Sequence, residues 1–146
     1  MNGFKRIAKR LLRVAMGAAT IWVVGHSVAA LADEITVTLS GQSEIPPVTT
    51  PATGTGTLTV GPDKSVSGKV TVSGVAATVA HIHEAAAGSN GRIIIPLTKT
   101  SDNVWAVPAG ARLTDAQYES YKAGILYFNV HSEANKSGEI RGQIKP

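Results

Sequence analysis

The stretch TVAHIHE, Thr78 to Glu84, decides how this chain folds. A β-strand sends successive side chains to opposite faces. On that pattern Ala80 and Ile82 take one face, and Val79, His81 and His83 take the other. ILYFNVH, Ile125 to His131, repeats the design. Leu126, Phe128 and Val130 share an apolar face, opposite Ile125, Tyr127, Asn129 and His131. GEIRGQI, Gly138 to Ile144, does so again, with Ile140, Gly142 and Ile144 opposed to Glu139, Arg141 and Gln143. Each of the three segments carries an apolar inner row and an outer row of polar, chemically capable groups.

Further strands follow from the same period. EITVTLSG, GTLTV, VSGKVTVSGV, RIIIPL and VWAVP alternate or run apolar between turn signals such as GPDKS. SEIPPVTTPATG holds three prolines, which exclude a central strand and mark a rigid connection lying over the sheet. One segment departs from the pattern. LTDAQYESYKAG offers Thr114 as N-cap, Asp115 in the first turn and Gly124 as a stop, so a short helix is expected over residues 114–123. The fold class is all-β: a Greek-key β-sandwich or barrel of about seven or eight antiparallel strands with one short helix.

The N-terminal part reads differently. MNGFKRIAKRLLR carries Lys5, Arg6, Lys9, Arg10 and Arg13 and no acid. An apolar run rich in small residues follows and ends in Ala30-Leu31-Ala32. A basic start, an apolar middle and an A-x-A site describe a secretory signal peptide, residues 1–32, cleaved after Ala32. Left uncleaved, the same segment would anchor the chain in a membrane. The mature domain is then residues 33–146, periplasmic or secreted. Its nine basic residues stand against ten acidic ones, since five of the 14 Lys and Arg leave with the signal. Nucleic-acid binding needs a basic footprint, which that balance excludes.

The chain has no cysteine, which excludes disulfides, zinc–thiolate sites and cysteine nucleophiles. No G-x-S-x-G element is present, and GSNGR, Gly88 to Arg92, lacks the strand–loop–helix setting of a phosphate loop. These absences point toward binding rather than catalysis.

All three histidines after residue 32 fall on outer rows. His81 and His83, at i and i+2 on one strand, face the same way, and His131 is placed to supply a third nitrogen. Three imidazoles suit copper, or zinc, by ligand softness. Glu84, Asn129 and Glu139 are the expected acceptors for the distal ring N–H groups. Arg141 is expected to hold Glu139 or an anion. The competing reading needs no ion: the same residues satisfy one another as a hydrogen-bonded network that fixes strand register.

SGQSEIPPV, AHIHEAAAGSNGRI, LTDAQ, GILYFNVHS and SGEIRGQI occur in an order and spacing that resembles the CHRD family, the domain named after chordin. The likeness runs from about Ile35 to Ile144. It implies an all-β domain, frequent in bacterial exported proteins, without a defined activity, and it suggests a protein or matrix partner. Glu84 stands where the family usually has glycine after H-I-H. The His-x-His strand, the Gly-rich loop and the later histidine also look like the copper strands of copper–zinc superoxide dismutases. The bridging histidine, the zinc ligands, the cysteines and a fourth copper histidine of those enzymes are missing, which argues against a dismutase. The expected functions are therefore a binding domain holding a transition metal, or a metal-free interaction module.

Overall fold

The computed structural model describes residues 32–146. The expected signal peptide, apart from Ala32, lies outside the described residues. Among the described residues no helix is long and apolar enough to cross a membrane.

The elements run β1 (Glu34–Ser40), β2 (Thr53–Val60), β3 (Val66–Ser73), β4 (Ala77–Glu84), β5 (Arg92–Pro96), β6 (Thr98–Ser101), β7 (Val104–Ala106), α1 (Asp115–Lys122), β8 (Leu126–Ser132) and β9 (Ile140–Ile144). All nine strands join one antiparallel sheet in the order β5-β4-β8-β9-β1-β2-β3-β7-β6. β1, β2 and β3 form a meander in continuous register, from Glu34↔Thr59 to Ser40↔Thr53 and from Thr53↔Ser73 to Val60↔Val66. The two ends of the order, β5 and β6, are separated in the chain by Leu97 alone. Consecutive Cα atoms lie about 3.8 Å apart, so the sheet has rolled until its margins meet. The result is a nearly closed barrel. It has one strand more than expected, because β6 (TKTS) is exposed throughout and shows no apolar row.

The predicted inner rows fill the barrel. Leu39, Val70, Phe128, Val130, Ile140 and Ile144 are fully buried in one cluster that includes Trp105 and Tyr121. Space for the Phe128 ring comes from Gly56, where an added Cβ would lie 2.7 Å from the ring carbons. Helix α1 starts at a capping box: the Thr114 hydroxyl accepts from the Gln117 N–H at 3.2 Å, and the Gln117 side chain accepts from the Thr114 N–H at 2.8 Å. Tyr121 anchors the helix in the core, and Tyr118 stacks on it with ring centroids 6.1 Å apart.

The outside of the barrel is divided. Over β1, β2 and β3 it is bare, with Thr36, Thr38, Thr55 and Thr71 exposed. Over β4, β8 and β9 it is roofed by the turn Gly41–Ser43 with the segment after it, and by the loops 85–91 and 133–139. The expected outer row is therefore not an open surface, although His81 stays partly exposed. The polar row does point away from the hydrophobic interior, but Tyr127 and Asn129 are 1% exposed and His83 and His131 are 8% and 7% exposed. Polar groups of the row find partners in the backbone and side chains of the roof, His83 Nε2 and Arg141 Nε excepted.

Phe128→Ala should cost about 3–5 kcal/mol, read as a lowered urea midpoint. Gly56 opposite it leaves no side chain to collapse into the space.

Candidate metal centre

Strand register assembles the histidines. β4 and β8 pair with Val79↔His131, His81↔Asn129 and His83↔Tyr127. His131 is thus diagonal to His81, a spacing that long side chains bridge. One ring nitrogen from each of His81, His83 and His131 lies within 4.8 Å of the other two. Ring centroids are 5.5 Å apart for His81–His83, 5.0 Å for His81–His131 and 6.1 Å for His83–His131.

The roof decides which nitrogens are free. His83 Nδ1 lies 2.9 Å from the Gly91 carbonyl, and His131 Nδ1 lies 2.9 Å from the Lys136 carbonyl. A carbonyl only accepts, so both Nδ1 atoms carry protons and both Nε2 atoms carry lone pairs. His131 Nε2 is 3.1 Å from His81 Nδ1, which therefore donates to it. His83 Nε2 is buried and has no hydrogen-bond partner among the described residues. A buried lone pair without a donor is costly in a native fold. His83 also stacks on Tyr127 at 4.9 Å and 14°, and the Tyr127 hydroxyl accepts from the Gly91 N–H at 3.0 Å. The ring is fixed on both sides.

The electrostatics keep all three rings neutral. Burial, then the neighbouring His131 and His83, push the pKa of His81 down to about 4. Burial lowers His83 against the opposing hydrogen bond to Gly91, with His131 and Arg141 adding to the lowering. His131 is lowered by burial against the Lys136 carbonyl, with Arg141 contributing. Neutral imidazoles near pH 7 can ligate a cation and do not attract an anion.

The other expected site residues are placed differently. Backbone carbonyls, not carboxylates, take the distal N–H groups. Glu84 accepts from Arg92 Nε at 2.8 Å and from Ser120 Oγ at 2.6 Å, near α1. Glu139 accepts from Thr50, from Ser132 Oγ at 2.7 Å and from Asn135 Nδ2 at 2.5 Å. Asn129 donates to Glu44 Oε1 at 2.5 Å. Arg141 faces Glu44 rather than Glu139, with Nε 3.4 Å from Glu44 Oε2. Its two Nη atoms donate to the Ser89 carbonyl at 2.9 Å and to Asn90, and its guanidinium covers Tyr127 at 4.0 Å.

Glu44 is the residue that sequence reasoning undervalued. It is 4% exposed, as is Arg141. Burial raises its pKa, against the lowering effects of Arg141, Asn129 and the Ile45 N–H. The available signal was a single carboxylate inside the proline-rich segment. Gly138 makes room for it: an added Cβ there would meet the two carboxylate oxygens at 2.6 and 2.7 Å, at a φ of +145°.

An antiparallel barrel with one roofed polar wall and a cluster of three imidazoles defines an all-β domain with a candidate metal centre. The chain matches the family model of the CHRD domain over residues 35–144, and it belongs to that family. No curated protein and no solved structure matches it.

Arg141→Met should destabilise the domain by about 3–5 kcal/mol, because it strands the buried Glu44 carboxylate. Adding Glu44→Gln should recover part of the loss, measured by urea unfolding of the single and double variants.

Proposed function

We propose that this CHRD domain is an exported binding domain that holds a transition metal ion, copper before zinc, through His81, His83 and His131. The observation that carries the reading is the buried, unpartnered Nε2 of His83 beside the other two rings. Two nitrogens about 2.0–2.1 Å from one ion stand roughly 2.9 Å apart across a square-planar angle and roughly 3.4 Å across a tetrahedral one. The 3.1 Å from His81 Nδ1 to His131 Nε2 lies between the two. An ion there would take the lone pairs of His131 Nε2 and His83 Nε2 and, with the proton of His81 moved from Nδ1 to Nε2 of the same ring, that of His81 Nδ1. The carbonyls of Gly91 and Lys136 orient two of the rings, as outer-shell acceptors do in histidine metal sites. A donor set of imidazoles without thiolate favours Cu(II) over Zn(II) by the general affinity order of divalent ions. Export is supported by the basic, then apolar, character of residues 1–32.

A second reading has its own support. Ile93 and Val79 are exposed at 50% and 43%, on β5 and β4 beside the histidines, and offer apolar contacts to a protein or matrix partner without any ion. A dismutase-type enzyme has the least support, because the described residues supply three histidines and no fourth.

Titration of the metal-free protein with Cu(II) should give one equivalent bound, and Zn(II) should bind more weakly. His83→Ala should lower the affinity by about 100-fold or more, since even outer-shell changes cost 10–100-fold. Equal uptake by both proteins would count against the site.

The pH dependence of the metal-free fold follows from the same depressed values. An unfolded histidine titrates near pH 6.5, whereas folded His81 titrates at about 4. Between those values the unfolded chain binds more protons, so stability falls as pH falls. The melting temperature should be level above pH 7 and decline from pH 6.5 toward 4. His81→Gln should flatten part of that decline.

A further inference from the structure

A cleft of about 340 Å³ opens beside the metal centre, between the segment 42–45 and the loop 85–91. It does not include the histidines. Gln42, Ala87 and Gly88 form its walls, and Glu44, Arg141 and Gln143 line its inner part. The volume lies at the lower end of the range for small-molecule sites.

The donors and acceptors inside restrict what fits. Arg141 brings a positive charge and Glu44 a negative one, both 4% exposed. A simple anion would meet the carboxylate, and a simple cation would meet the guanidinium. Glu44 Oε1 takes the Asn129 amide, the Ile45 N–H also bonds the carboxylate, and Oε2 lies 3.4 Å from Arg141 Nε; a carboxylate offers about four acceptor sites, so capacity to accept remains. Gln143 spends its Nε2 on the Ala85 and Gly124 carbonyls, at 3.1 and 2.9 Å. Its Oε1 is thereby turned away from those carbonyls and is a further acceptor. Gln42 is exposed and adds an amide with both donor and acceptor atoms. The cleft thus offers several acceptors, an amide donor and a charge pair that sums to zero. A neutral ligand whose neighbouring atoms each donate and accept complements that set, and vicinal hydroxyls do both.

We infer that the cleft between the 42–45 segment and the 85–91 loop is a saccharide-binding site that takes one neutral sugar unit, with Glu44, Gln143 and Gln42 as its polar contacts. The inference is independent of the metal reading: the cleft and the imidazole cluster share no side chain.

The test is an amide NMR titration of the metal-free protein, kept in chelator, with glucose and N-acetylglucosamine as probes and acetate and guanidinium as charged controls. Saturable shifts are expected at Gly88 and at the Gln42 and Gln143 side-chain amides with at least one sugar. Ala87→Trp, on the exposed loop, should fill the cleft and abolish them. Gln42→Ala should weaken binding about fivefold, the loss of one ordinary hydrogen bond. Absence of saturation with both sugars overturns the proposal. So do equal shifts in Ala87→Trp, or stronger saturable shifts with acetate or guanidinium. A protein that takes up copper yet fails this titration retains its metal function and loses the saccharide one.

Discussion

The structure depends on one buried interaction outside the hydrophobic core: the Glu44 carboxylate held between Arg141 and Asn129 on the outer wall of the barrel. A charge pair in such a place gains little net stability, because desolvation offsets much of its attraction. What it fixes is position. Arg141 also bonds the Ser89 carbonyl and Asn90, and Asn90 donates to the Ile45 carbonyl at 3.1 Å. The proline-rich segment and the 85–91 loop are thus tied to each other and to β9. Glu139 repeats the device at the other end, gathering Thr50, Ser132 and Asn135.

That roof creates the chemistry of the wall. Three imidazoles on a bare sheet would be hydrated and would titrate near their ordinary values. Under the roof they lose water, their pKa values fall, and two of them are set in one tautomer by loop carbonyls. The Arg141 guanidinium close by adds to the lowering of His83 and His131. The threonine-rich wall over β1–β3 shows the contrast: the same barrel, without a roof, leaves Thr36, Thr38, Thr55, Thr71 and Lys69 in solvent.

Period-two alternation made most of the fold legible. It separated Ile82 from His81 and His83, and Phe128 from Tyr127 and Asn129, and the pleat kept both divisions. The helix was legible because its capping chemistry is local, from Thr114 to Gln117. β6 was not, since an exposed TKTS segment joins the sheet through backbone bonds that leave no side-chain pattern. The orienting groups of the histidines escaped for a related reason. A carbonyl of Gly91 or Lys136 carries no residue identity, so side-chain acceptors such as Glu84 were expected in its place.

The sequence by itself determined which face of each strand is apolar, where the helix is capped, and that the three histidines share the polar side, because strand and helix periods are properties of short segments. Tertiary structure alone decided that this polar side is buried, that Arg141 meets Glu44 rather than Glu139, and that His131 lies diagonal to His81. Those outcomes depend on the register of β4 against β8 and on loops far apart in the chain, and no local pattern encodes which distant group will cover which.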